Sequence, residues 1–149
     1  MRTLTRTTAE NADFQQLVHQ LDQYLAALDG AEHGFYAQYN TIAQLRHVVV
    51  AYQEDEPVGC GAFKELAPGT VEIKRMFVVP AQRQRGVARA VLGELERWAA
   101  ELGYTSCVLE TGQRQPEAIA LYERSGYVRT PNYGQYVGVE NSVCLRKPL

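Results

Sequence analysis

The chain has 149 residues, 46% of them hydrophobic and 21% charged, with a net charge of −2 and a pI of about 5.9. That length fits one domain spanning residues 1–149, and the weak acidity argues against broad nucleic-acid binding, which needs a basic face. There is no run of about 18 apolar residues to span a membrane, and MRTLTRTTAENADF lacks the apolar segment of a secretory signal, so a cytoplasmic location is the expectation.

LTRTT (Leu4 to Thr8) alternates and is rich in threonine, a predicted first strand. Phe14, Leu17, Val18, Leu21, Tyr24, Leu25 and Leu28 then recur at steps of three and four, the period of an amphipathic helix, and Gly30 is its stop. AEHGFYAQYNTIAQL reads as loop or short helix with its aromatics close together. Val48 to Tyr52, the turn QEDEP, Val58 to Leu66, the turn APGT and the strand VEIKRMFVVP form a predicted antiparallel meander that ends at Pro80.

Val87, Val91, Leu95, Trp98 and Leu102 lie on one helix face, ended by Gly103. YTSCVLE (Tyr104 to Glu110) is a strand, and QPEAIALYERSGY is a short helix that starts near Pro116 and stops at Gly126. GYVRT and NSVCLRKPL close the chain as strands. The order β-α-loop-βββ-α-β-α-ββ describes one mixed α/β domain.

RQRGVARAV (Arg83 to Val91) joins a strand and proline to an apolar helix through a turn with three cations and a glycine. The first turn of a helix has N–H groups without intrahelical partners, and its dipole favours negative charge. Gly86 permits close approach, Ala88 keeps the space open, and Arg83, Arg85 and Arg89 can add charge-assisted hydrogen bonds. A phosphate or pyrophosphate is the expected ligand; the competing reading is a solvated basic turn. The chain has no GxxxxGK string, and GCGAFK (Gly59 to Lys64) lacks the third glycine of a dinucleotide fingerprint.

RQRGVA (Arg83 to Ala88) matches the [Q/R]-x-x-G-x-[G/A] signature of the GNAT superfamily, the Gcn5-related N-acetyltransferases. VEIKRMFVVP before it resembles the family's central strand, and LETGQRQPEAIALYERSGY resembles its later strand and tyrosine-bearing helix. The resemblance covers about two-thirds of the chain, roughly Val48 to Leu149. It implies a GNAT fold: a mixed, mostly antiparallel central sheet with splayed central strands flanked by helices. It also implies acetyl-CoA in the gap between those strands.

Under that resemblance, backbone N–H groups around Arg83, Arg85, Gly86, Val87 and Ala88 cradle the pyrophosphate. The pantetheine arm runs along Met76, Phe77 and Val78, where an amide near Met76 or Phe77 stabilises the oxyanion. Gln115 stands where relatives carry an asparagine that contacts the pantetheine or a water, although Pro116 alters the backbone beside it. Tyr122 matches the tyrosine read as general acid toward the CoA thiolate, against the alternative of a tyrosine packed on the sheet. Glu72 stands where several members place a catalytic glutamate, against the alternatives of a structural carboxylate or deprotonation through water.

Phe35, Tyr36 and Tyr133, with Tyr39 and Tyr136, are candidates to line an acceptor pocket, or equally to pack a domain edge or dimer interface. Glu72, Glu65 and Glu32 can attract a cationic amine, and no spacing selects one. The expected reaction is direct acetyl transfer to a primary amine of a small or amino-acid-like acceptor, without an acyl-enzyme. The alternative is a non-catalytic acyl-CoA sensor on the same fold. Homodimerisation is common in the family. Cys60, Cys107 and Cys144 sit in apolar strand contexts and read as small buried hydrophobes. The three histidines have no metal-ligand spacing, so no metal site is expected.

Overall fold

A computed structural model describes residues 1–30, 42 and 44–149. In chain order it contains β1 (Arg2–Thr7), α1 (Ala12–Asp29), β2 (His47–Gln53), β3 (Glu56–Ala67) and β4 (Thr70–Val78). A 3-10 turn at Pro80–Gln82 leads to α2 (Val87–Glu101), β5 (Ser106–Gly112), α3 (Pro116–Arg124) and β6 (Val128–Thr130). A second 3-10 turn at Gly134–Tyr136 precedes β7 (Ser142–Pro148). The strands form one sheet in the order β1-β2-β3-β4-β5-β7-β6.

One boundary difference from the sequence reading is β5, which starts at Ser106 instead of Tyr104. Gly103 takes a left-handed φ of 95°, and the Thr105 N–H donates to the Gly69 carbonyl at 2.8 Å. Tyr104 and Thr105 therefore belong to the turn out of α2. The first strand also begins two residues earlier than expected, because Arg2 and Thr3 pair with Gln53 and Tyr52 of β2.

The sheet is buried on both faces, and β2 shows how. Val48 and Val50 pack with Phe14, Leu17 and Leu21 of α1, whereas Val49 and Ala51 join the core under Val87, Val91 and Leu95 of α2. Alternate residues of a strand point to opposite faces, so four consecutive apolar positions serve two cores. The Asn11 side chain caps α1 by accepting from the Phe14 N–H at 2.9 Å. Gly59 and Gly61 serve the second core. A Cβ at Gly59 would lie 2.7 Å from a Val87 methyl, and one at Gly61 would lie 2.9 Å from a Leu95 methyl. The glycines of GCGAFK thus let α2 settle onto β3.

All neighbouring strands pair antiparallel except β4 and β5. These two are parallel and pair only at Thr70–Ser106, Val71–Cys107 and Glu72–Val108. Beyond Glu72 the ladder stops while both strands continue, which opens a gap in the middle of the sheet. A bulge in β4 accompanies the divergence. Between the pairs Cys60–Phe77 and Ala62–Lys74, β4 has two residues, Arg75 and Met76, where β3 has only Gly61. Arg75 takes the left-handed conformation with φ 58°, which costs a non-glycine residue about 1–2 kcal/mol. Its buried guanidinium is held by an ion pair with Asp22 on α1, and its carbonyl accepts from the Cys60 thiol at 3.5 Å.

Candidate functional site

The gap between β4 and β5 opens into a cleft of about 720 Å³ bounded by the end of β4, the start of α2 and α3. Met76, Phe77 and Val78 supply one wall, Arg83, Gly86, Val87 and Ala88 the second, and Gln115 and Tyr122 the third. Nine of the residues expected to touch the cofactor are therefore brought together. Arg85 is not among them: its side chain is exposed, and its carbonyl accepts from the Arg2 guanidinium at 2.6 Å. Only its backbone belongs to the turn.

The turn before α2 is shaped for an anion. Gln84 and Gly86 both take left-handed φ values, 64° and 80°. The Ala90 N–H donates to the Gly86 carbonyl at 3.0 Å, so the N–H groups of Val87, Ala88 and Arg89 precede the first intrahelical bond. Successive N–H groups in such a turn form a concave anion site. Arg83 is exposed but lies along the cleft: its Nε donates to the Val78 carbonyl at 3.0 Å, and its guanidinium lies 5.4 Å from the Tyr24 ring centre and 5.8 Å from that of Phe77. The site is thus mainly a backbone site, with the arginines around it.

A second cavity, about 130 Å³, lies on the other side of the same gap, between the C-terminal half of α1, β4, β5 and the segment before β7. Leu21, Met76, Gln115, Ala118 and Tyr122 border both spaces, so the two meet at Met76 and Tyr122. Tyr122 is 6% exposed, with its ring edge-on to Tyr127. Burial, reinforced by the charge of Glu110, pushes its phenol well above the ordinary range, so it remains a proton donor at neutral pH.

The second cavity is strongly polar. Glu72 is 2% exposed; its carboxylate accepts from the Tyr133 hydroxyl at 2.7 Å and lies 3.8 Å from the Lys74 ammonium. Burial and the Glu72 charge raise the Tyr133 phenol, while burial lowers Lys74. Glu110 on β5 accepts from the Ser142 hydroxyl at 2.6 Å. Burial pushes its carboxyl up to about 7, against the opposing pull of the Ser142 hydrogen bond and Lys74. Asp29, at the end of α1, completes the acidic side and lies 3.7 Å from Arg114.

Tyr133 thus reaches the site through Glu72. Phe35, Tyr36, Tyr39 and Glu32 lie outside the described residues. Glu65 stands apart and accepts from the Tyr104 hydroxyl. Sequence reasoning missed Glu110, Lys74 and Asp29. The available signal was a charge inside an apolar strand: Glu72 and Lys74 alternate with Val71 and Ile73, and Glu110 follows CVL. The cysteines are all buried, and burial raises Cys60 to about 12 and Cys107 and Cys144 to about 11. They are protonated thiols at neutral pH, poorly suited to carry an acyl group. Among the described residues there is no cluster of three or more metal-ligating side chains, and no helix is long and apolar enough to cross a membrane.

Residues 10–127 match the model of the acetyltransferase (GNAT) family. An Azospirillum brasilense protein named IAA acetyltransferase is 34% identical over 149 residues, covering 99% of this chain and 97% of its own. A Klebsiella pneumoniae crystal structure, provisionally assigned as an acyl-CoA N-acyltransferase, superposes with a TM-score of 0.84 at 31% identity, covering 100% of this chain and 98% of its own. An Elizabethkingia anophelis GNAT acetyltransferase solved with acetyl-CoA bound shares the fold at a TM-score of 0.72 and 19% identity, covering 99% and 98%.

Proposed function

The chain belongs to the acetyltransferase (GNAT) family, and we propose that it transfers the acetyl group of acetyl-CoA directly to the primary amine of a small acceptor. One observation carries this reading. An anion-shaped cleft and a small acidic cavity enter the same gap from opposite sides and meet at a buried tyrosine.

The residues of the cleft fit the cofactor. A left-handed Gly86 has no atom within 3.7 Å of where its Cβ would stand, and the first turn of α2 offers N–H groups to a pyrophosphate. Acetyl-CoA supplies the activated thioester. The bulge at Arg75 and Met76 takes this part of β4 out of regular pairing with β3, so the amide of Met76 or Phe77 can donate to the thioester oxygen as negative charge develops there. Met76, Phe77 and Val78 would guide the pantetheine arm, with Gln115 facing it across the cleft.

The amine would enter from the second cavity. An ammonium has no lone pair for attack, so one carboxylate must take its proton. Glu72, the residue expected from the family position, already accepts from Tyr133 and lies beside two lysines, Lys64 and Lys74. Its proposed role is to hold Tyr133 and Lys74 in the wall. Glu110, raised to about 7 by burial, is matched to accept the proton at neutral pH. Tyr122 would protonate the departing thiolate from where the two spaces meet, and the proton that the nitrogen sheds as the amide forms would restore the phenol. The raised cysteine thiols support direct transfer without an acyl-enzyme.

The test is to incubate the protein with acetyl-CoA and a broad set of primary amines, following free thiol and acetylated amine by mass spectrometry. Equal release of the two, with no thiol released and no acetylated protein formed when the amine is left out, supports direct transfer. Thermal stabilisation by acetyl-CoA without turnover on any amine would leave a binding module instead.

A further inference from the structure

Resting on the transfer reading above, we infer that the acceptor is a compact primary amine without a carboxylate near the reacting nitrogen, and that the cavity discriminates against the corresponding α-amino acids. The warrant is the use that the cavity makes of its charges.

The cations bordering this space already face protein carboxylates. Arg75, which lines the cavity, pairs its charge with Asp22 on α1, although its buried Nε has no hydrogen-bond partner among the described residues. Lys74 lies 3.8 Å from Glu72, and Arg114 reaches Asp29 at 3.7 Å from the side of the cofactor cleft. The sequence between Gly30 and Gln44 contains neither lysine nor arginine, so it adds no such cation to any wall. A carboxylate brought in by the acceptor would find no uncompensated positive charge here, and taking Lys74 from Glu72 or Arg114 from Asp29 would leave a buried protein carboxylate without its partner.

An ammonium meets the opposite situation. Glu110 has the Ser142 hydroxyl as its hydrogen-bond partner and no ion-pair partner among the described residues. Glu72 and Asp29 add negative potential on either side, and both tend to hold the Glu110 proton in place. An ammonium at Glu110 supplies the missing counter-charge and delivers its own proton to the group that takes it. The remainder of the space, about 130 Å³, suits a short or flat substituent carried by that nitrogen. Recognition by a buried group that is otherwise unpaired separates ligands more sharply than apolar fit, because the wrong ligand leaves charges uncompensated.

The experiment compares amines with their own amino acids: isobutylamine with valine, tyramine with tyrosine, histamine with histidine. Each pair differs only by the carboxylate beside the nitrogen. In at least one pair the amine is expected to show kcat/KM at least about tenfold above its amino acid, with no pair reversed. A ratio near one, or a preference for the amino acids with robust turnover, overturns the inference and leaves acetyl transfer intact. No turnover with any member, alongside thermal stabilisation by acetyl-CoA, overturns the transfer reading and the inference with it. Asp29→Asn gives a second readout. It is expected to lower the amine-to-amino-acid ratio severalfold, whereas a purely structural effect would lower both rates and keep the ratio. An unchanged ratio in Asp29→Asn protein that still binds acetyl-CoA counts against the inference.

Discussion

The cofactor cleft and the acidic cavity lie on two sides of one gap, but they are built differently. The proposed anion site of the cleft is made by backbone. A contiguous turn, two left-handed residues and the first turn of α2 present N–H groups, and the side chains around them adapt. The cavity is made by side chains. Asp29, Glu72, Lys74, Glu110, Asn141 and Tyr136 come from α1, β4, β5 and the segment before β7, and their pairings fix its chemistry. A backbone site recognises what every reaction of the fold shares. A side-chain site can be altered one residue at a time, which suits the acceptor preference proposed above.

The largest effect on acetyl-CoA binding should come from disrupting the backbone site. Gly86→Glu puts a side chain at φ 80° and a negative charge where the pyrophosphate would lie, and should weaken acetyl-CoA binding at least about 100-fold in calorimetric titration. Tyr122→Phe acts where the two spaces meet. Turnover should fall by about 10³, with acetyl-CoA affinity within about twofold, as read by single-turnover kinetics beside a binding titration. An unchanged rate would remove Tyr122 from the chemistry.

Glu110→Gln addresses the cavity alone. Because the carboxyl must be ionised to accept a proton, kcat/KM of the native protein should climb as pH rises through about 7. The glutamine variant should lose roughly 10² in rate together with that limb of the profile. A retained limb would move the base to another group, with Glu72 the first to examine. The smallest effect belongs to Arg83→Ala. If the cleft is a backbone site and Arg83 is already bonded to the Val78 carbonyl, its truncation should cost less than about tenfold in acetyl-CoA affinity. A loss as large as that of Gly86→Glu would make the cleft a side-chain site and remove the contrast with the cavity.

The same contrast explains what could be read in advance. The turn from Arg83 to Ala88 is local, so its residues could be recognised in the order in which they act, and the structure places them together. The helix faces were also local: Val87, Val91 and Leu95 meet the sheet as their spacing indicated. Arg85 was expected to lend its backbone to the turn; its side chain does not line the cleft, since a string of cations does not say which side chains will. The cavity was largely illegible. Glu72 could be picked from the family position, but its bond to Tyr133 spans 61 residues, and that between Glu110 and Ser142 spans 32. Glu110 looked like an ordinary strand residue until burial and the absence of an ion-pair partner among the described residues set it apart. The bulge at Arg75 was equally hidden, since nothing local marks an arginine for a left-handed conformation held by Asp22.

The most direct measurement is thermal unfolding of the native protein and Gly86→Glu, each with acetyl-CoA and, as controls, ATP and NAD. Saturation about a hundredfold above the dissociation constant stabilises a fold by roughly 2.7 kcal/mol, a shift of roughly 5–11 °C for a domain of this size. The native protein should show that shift with acetyl-CoA alone, and the variant should show none. No shift in the native protein, or an equal shift in both proteins, would contradict the placement of the cofactor at the turn before α2.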